Sequence, residues 1–308
     1  MTEENWKKGL ILSLITVLFW STLPVALKLS LTATDAMTLT WFRFLTAAVF
    51  TGILIISRNK LAEFKRLTAS QWAWLSLAAV MLTANYVLFL VGLEMTSPAN
   101  AQVFIQMAPL LLTLGGVIIF KEAFNRMQIL GVISILCGLS LFFSDQIKQI
   151  ISSNYSIGIW VMFTAALTWA IYALIQKKLA QVLSSQSILC FIYLFATLAL
   201  FFWSDLSSYQ SFNELQWWAI GYACINTVIA YGAFAEALNH WNASRVGMIL
   251  ALTPVITLLF INGFAYFFPH LLAAESIHLI GYLGMALIVT GSMLASFKRR
   301  RKVVKIIP

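Results

Sequence analysis

Apolar residues run along this chain in ten blocks, separated by short polar breaks: residues 9–31, 36–57, 72–92, 98–120, 127–144, 157–175, 185–203, 216–236, 243–268 and 277–297. Each block reaches the roughly 18 residues that cross the apolar core of a bilayer as a helix. The blocks are continuous rather than alternating over ~10 residues, which argues against a membrane barrel. No break is long enough to hold a soluble domain. The pattern predicts an all-α integral membrane chain of ten transmembrane helices.

The blocks repeat. The segment YVLFLVGLEMTSPANAQVFIQMAP, residues 86–109, ends one block, crosses a polar break and starts the next. Its Tyr86, Phe89, Leu93 and Pro109 recur 145 residues later as Tyr231, Phe234, Leu238 and Pro254. Gly9, Trp20 and Lys28 recur 149 residues later as Gly158, Trp169 and Lys177. Glu122, Leu130, Gly131, Ile135 and Gly138 recur 153 residues later as Glu275, Leu283, Gly284, Ile288 and Gly291. The chain therefore divides into residues 1–150 and 151–308, with about eight extra residues around 266–274 of the second half. Five helices per half is an odd number, so the second half is expected to lie inverted relative to the first, a common plan for secondary transporters.

Composition and charge agree with this reading. Of the 308 residues 61% are hydrophobic and 10% charged, against about 45–50% and about 25% in soluble proteins. With a cytoplasmic N-terminus, all of the 20 lysines and arginines except Lys28, Arg43 and Lys148 fall on the cytoplasmic side, so both termini are expected there. The net charge of +9 thus reports topology, and the cluster from Lys298 to Lys302 with Lys305 reads as an anchor on anionic lipid, not a nucleic-acid surface. Cys137, Cys190 and Cys224 lie inside apolar blocks without disulfide or CxxC spacing. His240, His270 and His278 lack metal-site spacing, so neither metal nor cofactor is expected. The first block follows WKK without a small-residue cleavage site and reads as a retained helix. A bacterial inner membrane is the expected location.

Five plus five helices, Trp20 and Trp169 in the first and sixth, RFLTAA (residues 43–48) in the second, Pro109 and Pro254 in the fourth and ninth, and the tails Glu122, Gly131, Gly138 and Glu275, Gly284, Gly291 together resemble the drug/metabolite transporter superfamily, in particular its EamA-type members. The resemblance covers nearly the whole chain. It implies a secondary transporter working by alternating access, as a monomer or homodimer, on a small-molecule solute. Two departures stand out: the extra residues before Glu275, and the polar Asn100, Gln102 and Gln106 where small and aliphatic residues are expected.

The candidate chemistry lies in polar residues within the blocks. Gln102, Gln106, Pro109 and Thr113 share one helical face, and amides in hydrocarbon are costly unless paired. Either they read the substrate or they tie helices together. Asn85 and Tyr86, Asn226 and Tyr231, and Asn100 are further pathway candidates, with Trp20, Trp169 and Tyr172 lining the centre or simply packing it. Pro109 and Pro254 each delete a helix hydrogen bond and are candidate hinges. Arg43 is expected either to meet a carboxylate or phosphate on the substrate or to pair with Glu94 or Asp35. Glu236, His240 and Arg245 bracket a cytoplasmic turn as a local clamp, while Glu122 reads as a structural helix end. No Asp or Glu falls near the middle of a block, which lowers a multidrug exporter. The expected substrate is a small polar metabolite such as an amino acid, with a nucleotide-like or phosphorylated solute as the alternative. An intramembrane enzyme would need a Ser/His, paired-Asp or HExxH-like set, and the blocks hold none.

Overall fold

The computed structural model describes residues 5–96, 101, 104–105, 107–122, 125–144, 153–271 and 278–296. Among them the regular structure is helical throughout. The helices are α1 (Trp6–Ser30), α2 (Ala36–Ser57), α3 (Ala69–Met95), α4 (Met107–Phe120), α5 (Arg126–Ser144), α6 (Ser153–Leu179), α7 (Ser185–Leu200), α8 (Glu214–His240), α9 (Ala243–Leu250), α10 (Thr253–Phe267) and α11 (Leu279–Ser296). Seven segments are long and apolar enough to cross a membrane, counting α9 and α10 as one; α4, α5 and α11 are shorter apolar helices. The chain is a multi-helix membrane protein. Gln102, Gln106, Asn100 and Glu275 lie outside the described residues.

Polar residues in the breaks start the helices. Asp35 accepts from the Met37 and Thr38 amides at 2.8 and 3.0 Å. α3 and α8 both begin with a capping box, Thr68 with Gln71 and Asn213 with Gln216. In each the side chain at one end satisfies the free amide at the other. These two boxes stand 145 residues apart, the same offset that separates Tyr86 from Tyr231.

The main helix contacts cross between the halves and come in matched sets. α1 packs on α8 and α3 on α6; α2 packs on α8 and α3 on α7; α1 packs on α10 and α4 on α6. The remaining large contacts, α2 on α7, α4 on α9 and α5 on α11, join helices at corresponding places in the two halves. Among the described residues these larger contacts keep their pattern when the halves are exchanged, while α11 also touches α9 without a matching contact of that size of α5 on α4.

The α5–α11 pair shows what the tail glycines do. A Cβ on Gly138 would stand 2.5 Å from the Gly284 carbonyl oxygen, and one on Gly284 would stand 2.6 Å from that of Gly138. The backbones touch there, as membrane helices do through small residues when lipid supplies no hydrophobic drive to associate.

The block predicted over 243–268 is broken. α9 stops at Leu250 and α10 starts at Thr253, with Pro254 in its first turn. A proline is tolerated there because that amide has no helical acceptor anyway. Pro109 likewise sits in the first turn of α4. Pro254 therefore starts a helix and does not bend one in its middle. A third proline, Pro24, lies inside α1 and removes the amide that would bond the Trp20 carbonyl.

Candidate functional site

A central cavity of about 80 Å³ lies among α1, α2, α3, α4, α6, α8 and the α9–α10 break. At the roughly 10–15 Å³ that one water needs, it has room for several. Trp20, Arg43, Asn85, Tyr86, Pro109, Trp169 and Tyr231 all line it. Leu23, Phe89, Ile105, Ala108, Leu250 and Thr253 are its other described lining residues.

Trp20 and Trp169, equivalent in the two halves, meet edge to face at 5.6 Å. Trp20 also meets Tyr231 at 5.2 Å, and Tyr231 meets Tyr86 at 5.3 Å. Tyr172 stands behind Tyr231, 6.2 Å between ring centres, outside the cavity wall. Asn226 also lies off the wall, where its amide donates to the Phe19 carbonyl at 2.6 Å and ties α8 to α1. Asn85 lines the cavity while donating to the Ala165 carbonyl at 2.8 Å, so it ties α3 to α6 as well. Pro254 is next to the wall residue Thr253, whose carbonyl takes a 3.1 Å hydrogen bond from Ser21 of α1.

Arg43 is only 3% exposed. It pairs with neither Glu94 nor Asp35: no carboxylate lies within ion-pair distance of it among the described residues. The Asp35 carboxylate is occupied in capping α2. Arg43 Nε instead donates to Thr227 Oγ1 at 3.0 Å, and its guanidinium sits 4.4 Å from the Tyr86 ring centre. A desolvated cation–π contact contributes about 2 kcal/mol and a charged hydrogen bond about 1.5–3 kcal/mol. Burying the ion costs several kcal/mol even after relaxation, so these contacts roughly offset its desolvation and supply no counter-charge. The hydroxyls of Tyr172 and Tyr193 close by are buried without a hydrogen-bond partner.

One end of the bundle gathers the basic residues. Phe234 and Leu238 of α8 and Trp241 just beyond its end are buried. At the basic end Glu122 accepts from the Ala243 and Ser244 amides, both at 2.9 Å, and so caps α9. It also pairs with Lys177 at 3.3 Å, and Lys177 donates to the Trp241 carbonyl at 3.1 Å. Gly116 makes room, since a Cβ there would stand 2.6 Å from Glu122 Oε2. The expected clamp residues join the same face: Glu236 contacts His240 at 3.1 Å and Lys8 at 3.8 Å, and Arg245 sits over Trp241 at 5.9 Å. Glu63 accepts from the Ser184 amide at 2.9 Å. Burial pushes the Glu63 carboxyl up, but hydrogen bonds from Ser184 and Ser187 and the charge of Lys60 outweigh it and hold the group below the usual carboxylate range.

Sequence reasoning missed the Glu122–Lys177 latch. Its signal was there, a glutamate and a lysine at repeat-marked positions, but the pair is 55 residues apart and joins only through the fold. It also missed Thr253 and Ser21, whose importance follows from the helix break.

The sequence pattern of the EamA-like transporter family matches residues 7–144 and again residues 156–297. An uncharacterized transporter of Haemophilus influenzae is 36% identical over 290 residues, 94% of each chain. The uncharacterized inner membrane transporter YhbE of Escherichia coli is 31% identical over 298 residues, 95% of this chain and 92% of its own. A solved crystal structure at 17% identity superposes with a TM-score of 0.71 over 94% of this chain and 97% of its own, a likeness of fold alone.

Proposed function

The chain belongs to the EamA-like transporter family, and on that footing we propose that this membrane transporter moves a small polar metabolite, an amino acid or related carboxylate, through the central cavity by alternating access. The observation that carries this reading is the buried Arg43 in a cavity walled by residues of both halves.

The helices act as two inverted five-helix repeats, residues 1–150 and 151–308, with the basic face cytoplasmic and the membrane a bacterial inner one. The two separate family matches, the matched sets of larger helix contacts and the paired capping boxes support this arrangement. The Glu122 latch then closes the cytoplasmic route, and release of α9 opens it. A phosphorylated or nucleotide-like solute fits less well, because Arg43 is the single cation in the described cavity wall. A multidrug exporter of cations fits less well too, since that wall contains no acid. Export or exchange is the expected direction.

The test is counterflow of labelled amino acids and related carboxylates into liposomes holding the purified protein. Saturable uptake that is lost in Trp20→Ala, with normal expression and melting, is expected. Uptake that rises linearly with concentration would sink the carrier mechanism, and uptake that never exceeds protein-free liposomes would sink this substrate class.

Pro254 is assigned as a hinge at the α9–α10 break. Pro254→Ala restores an amide and favours a continuous helix. It is expected to slow counterflow while leaving the half-saturating concentration unchanged. Equal slowing in a proline-free control site such as Leu259→Ala, on the exposed face of α10, would assign the effect to general damage.

A further inference from the structure

Arg43 places one full positive charge at the centre of the bundle, and the described cavity wall holds no acid to balance it. Resting on the transporter reading above, and narrowing its substrate from amino acids to their carboxylate relatives, we propose that the solute is an organic monoanion, with one carboxylate set against the Arg43 guanidinium and a flat apolar body against the aromatic wall.

Charge balance in a low-dielectric site carries this choice. A buried ion is tolerated when it is paired. A monoanion makes the occupied cavity neutral as it crosses the membrane. A zwitterion brings an ammonium that finds no carboxylate among the described wall residues, and leaves the site as positive as before. A dianion overshoots the single cation.

The aromatic wall is the competing host for an ammonium, because ring faces attract cations. Arg43 already covers the Tyr86 face, and its fixed charge repels a second cation within so small a cavity. What the wall offers instead is apolar surface from Trp20, Trp169, Phe89 and Leu250. The guanidinium suits a carboxylate in particular, since its planar fork can donate two parallel bonds.

The test uses the purified full-length chain and four compounds on one skeleton: 3-phenylpropanoate, phenylalanine, 3-phenylpropylamine and phenylsuccinate. Binding is read by thermal shift across a concentration series, which reports saturation of the native state. 3-Phenylpropanoate is expected to bind at least about tenfold more tightly than phenylalanine, with no shift from the amine or the dianion. Arg43→Gln is expected to lose that shift and to melt, without ligand, at or above the wild-type temperature. Arg43→Lys is expected to retain part of the binding.

Phenylalanine binding as tightly as 3-phenylpropanoate, or any shift from the amine, would overturn the monoanion while leaving the transporter standing. Absence of binding by all four would overturn it as well. Saturable counterflow of some other solute in that case would spare the transporter reading, and its absence would remove both. The wild-type ligand series decides the matter even where Arg43→Gln does not fold.

Discussion

Glu122→Ala is expected to open the basic face of the protein. The carboxylate holds three positive or partly positive partners: the Ala243 and Ser244 amides at 2.9 Å each and Lys177 at 3.3 Å. The Glu122 side chain is 6% exposed and that of Lys177 17%. Removing one member of a buried pair costs about 3–5 kcal/mol, because the partner is left buried and uncompensated. Here the loss falls on the conformation in which α9 docks against α4. Thr113 of α4 reports that docking, since its hydroxyl lies 3.3 Å from the Ser244 carbonyl and it is buried. In a background lacking Cys137, Cys190 and Cys224, Thr113→Cys should resist a water-soluble maleimide and become reactive when Glu122→Ala is added. Melting temperature should fall, and counterflow should drop by at least about tenfold, the equivalent of 1.4 kcal/mol. Glu122→Gln keeps an acceptor for one amide and should fall between. Unchanged labelling together with unchanged melting would show that the latch does not hold this face shut.

Gly138→Leu should be the most damaging single change in the fold. No side chain fits where a Cβ would stand 2.5 Å from the Gly284 carbonyl oxygen and 2.9 Å from the Ile288 amide nitrogen. The neighbour is backbone, so relief requires α5 and α11 to separate. Overpacking costs about 1–3 kcal/mol where side chains can shift and more where they cannot. The expected result is loss of monodisperse protein in detergent or a large fall in melting temperature. Gly232→Leu is the matched control, because nothing lies within 4 Å of its added Cβ. Equal stability of the two variants would mean that the α5–α11 contact contributes little.

Both predictions turn on residues that were visible as repeat marks before their contacts were known. Glu122 and Gly138 fall in the same family-like tail, but the tail alone does not tell a cap from a packing contact. The cavity residues behave differently. Trp20, Arg43, Asn85, Tyr86, Trp169 and Tyr231 were singled out as polar or amphipathic groups inside apolar blocks, and the helices bring all six to one cavity. Asn226 was singled out on the same grounds, yet it lies off the wall, with its Nδ2 donating to the Phe19 carbonyl. The difference lies in which way the side chain faces, and helical period sets that only relative to other residues of the same helix.

Hydrophobic block length and the scarcity of charge inside the blocks determined by themselves that the chain is a helical membrane protein, and the 145-residue offset pointed to the internal repeat proposed above. Those signals are local or self-referential, and backbone hydrogen bonding in lipid leaves a helix as the answer for each block. The tertiary structure alone decided the partners: that Arg43 meets Tyr86 and Thr227 in place of Glu94 or Asp35, that Glu122 seats on α9 of the other half, and that the block at 243–268 is interrupted. Each of these joins residues far apart in the chain, and their distance is set by helix packing across the two halves, which no single-helix pattern encodes.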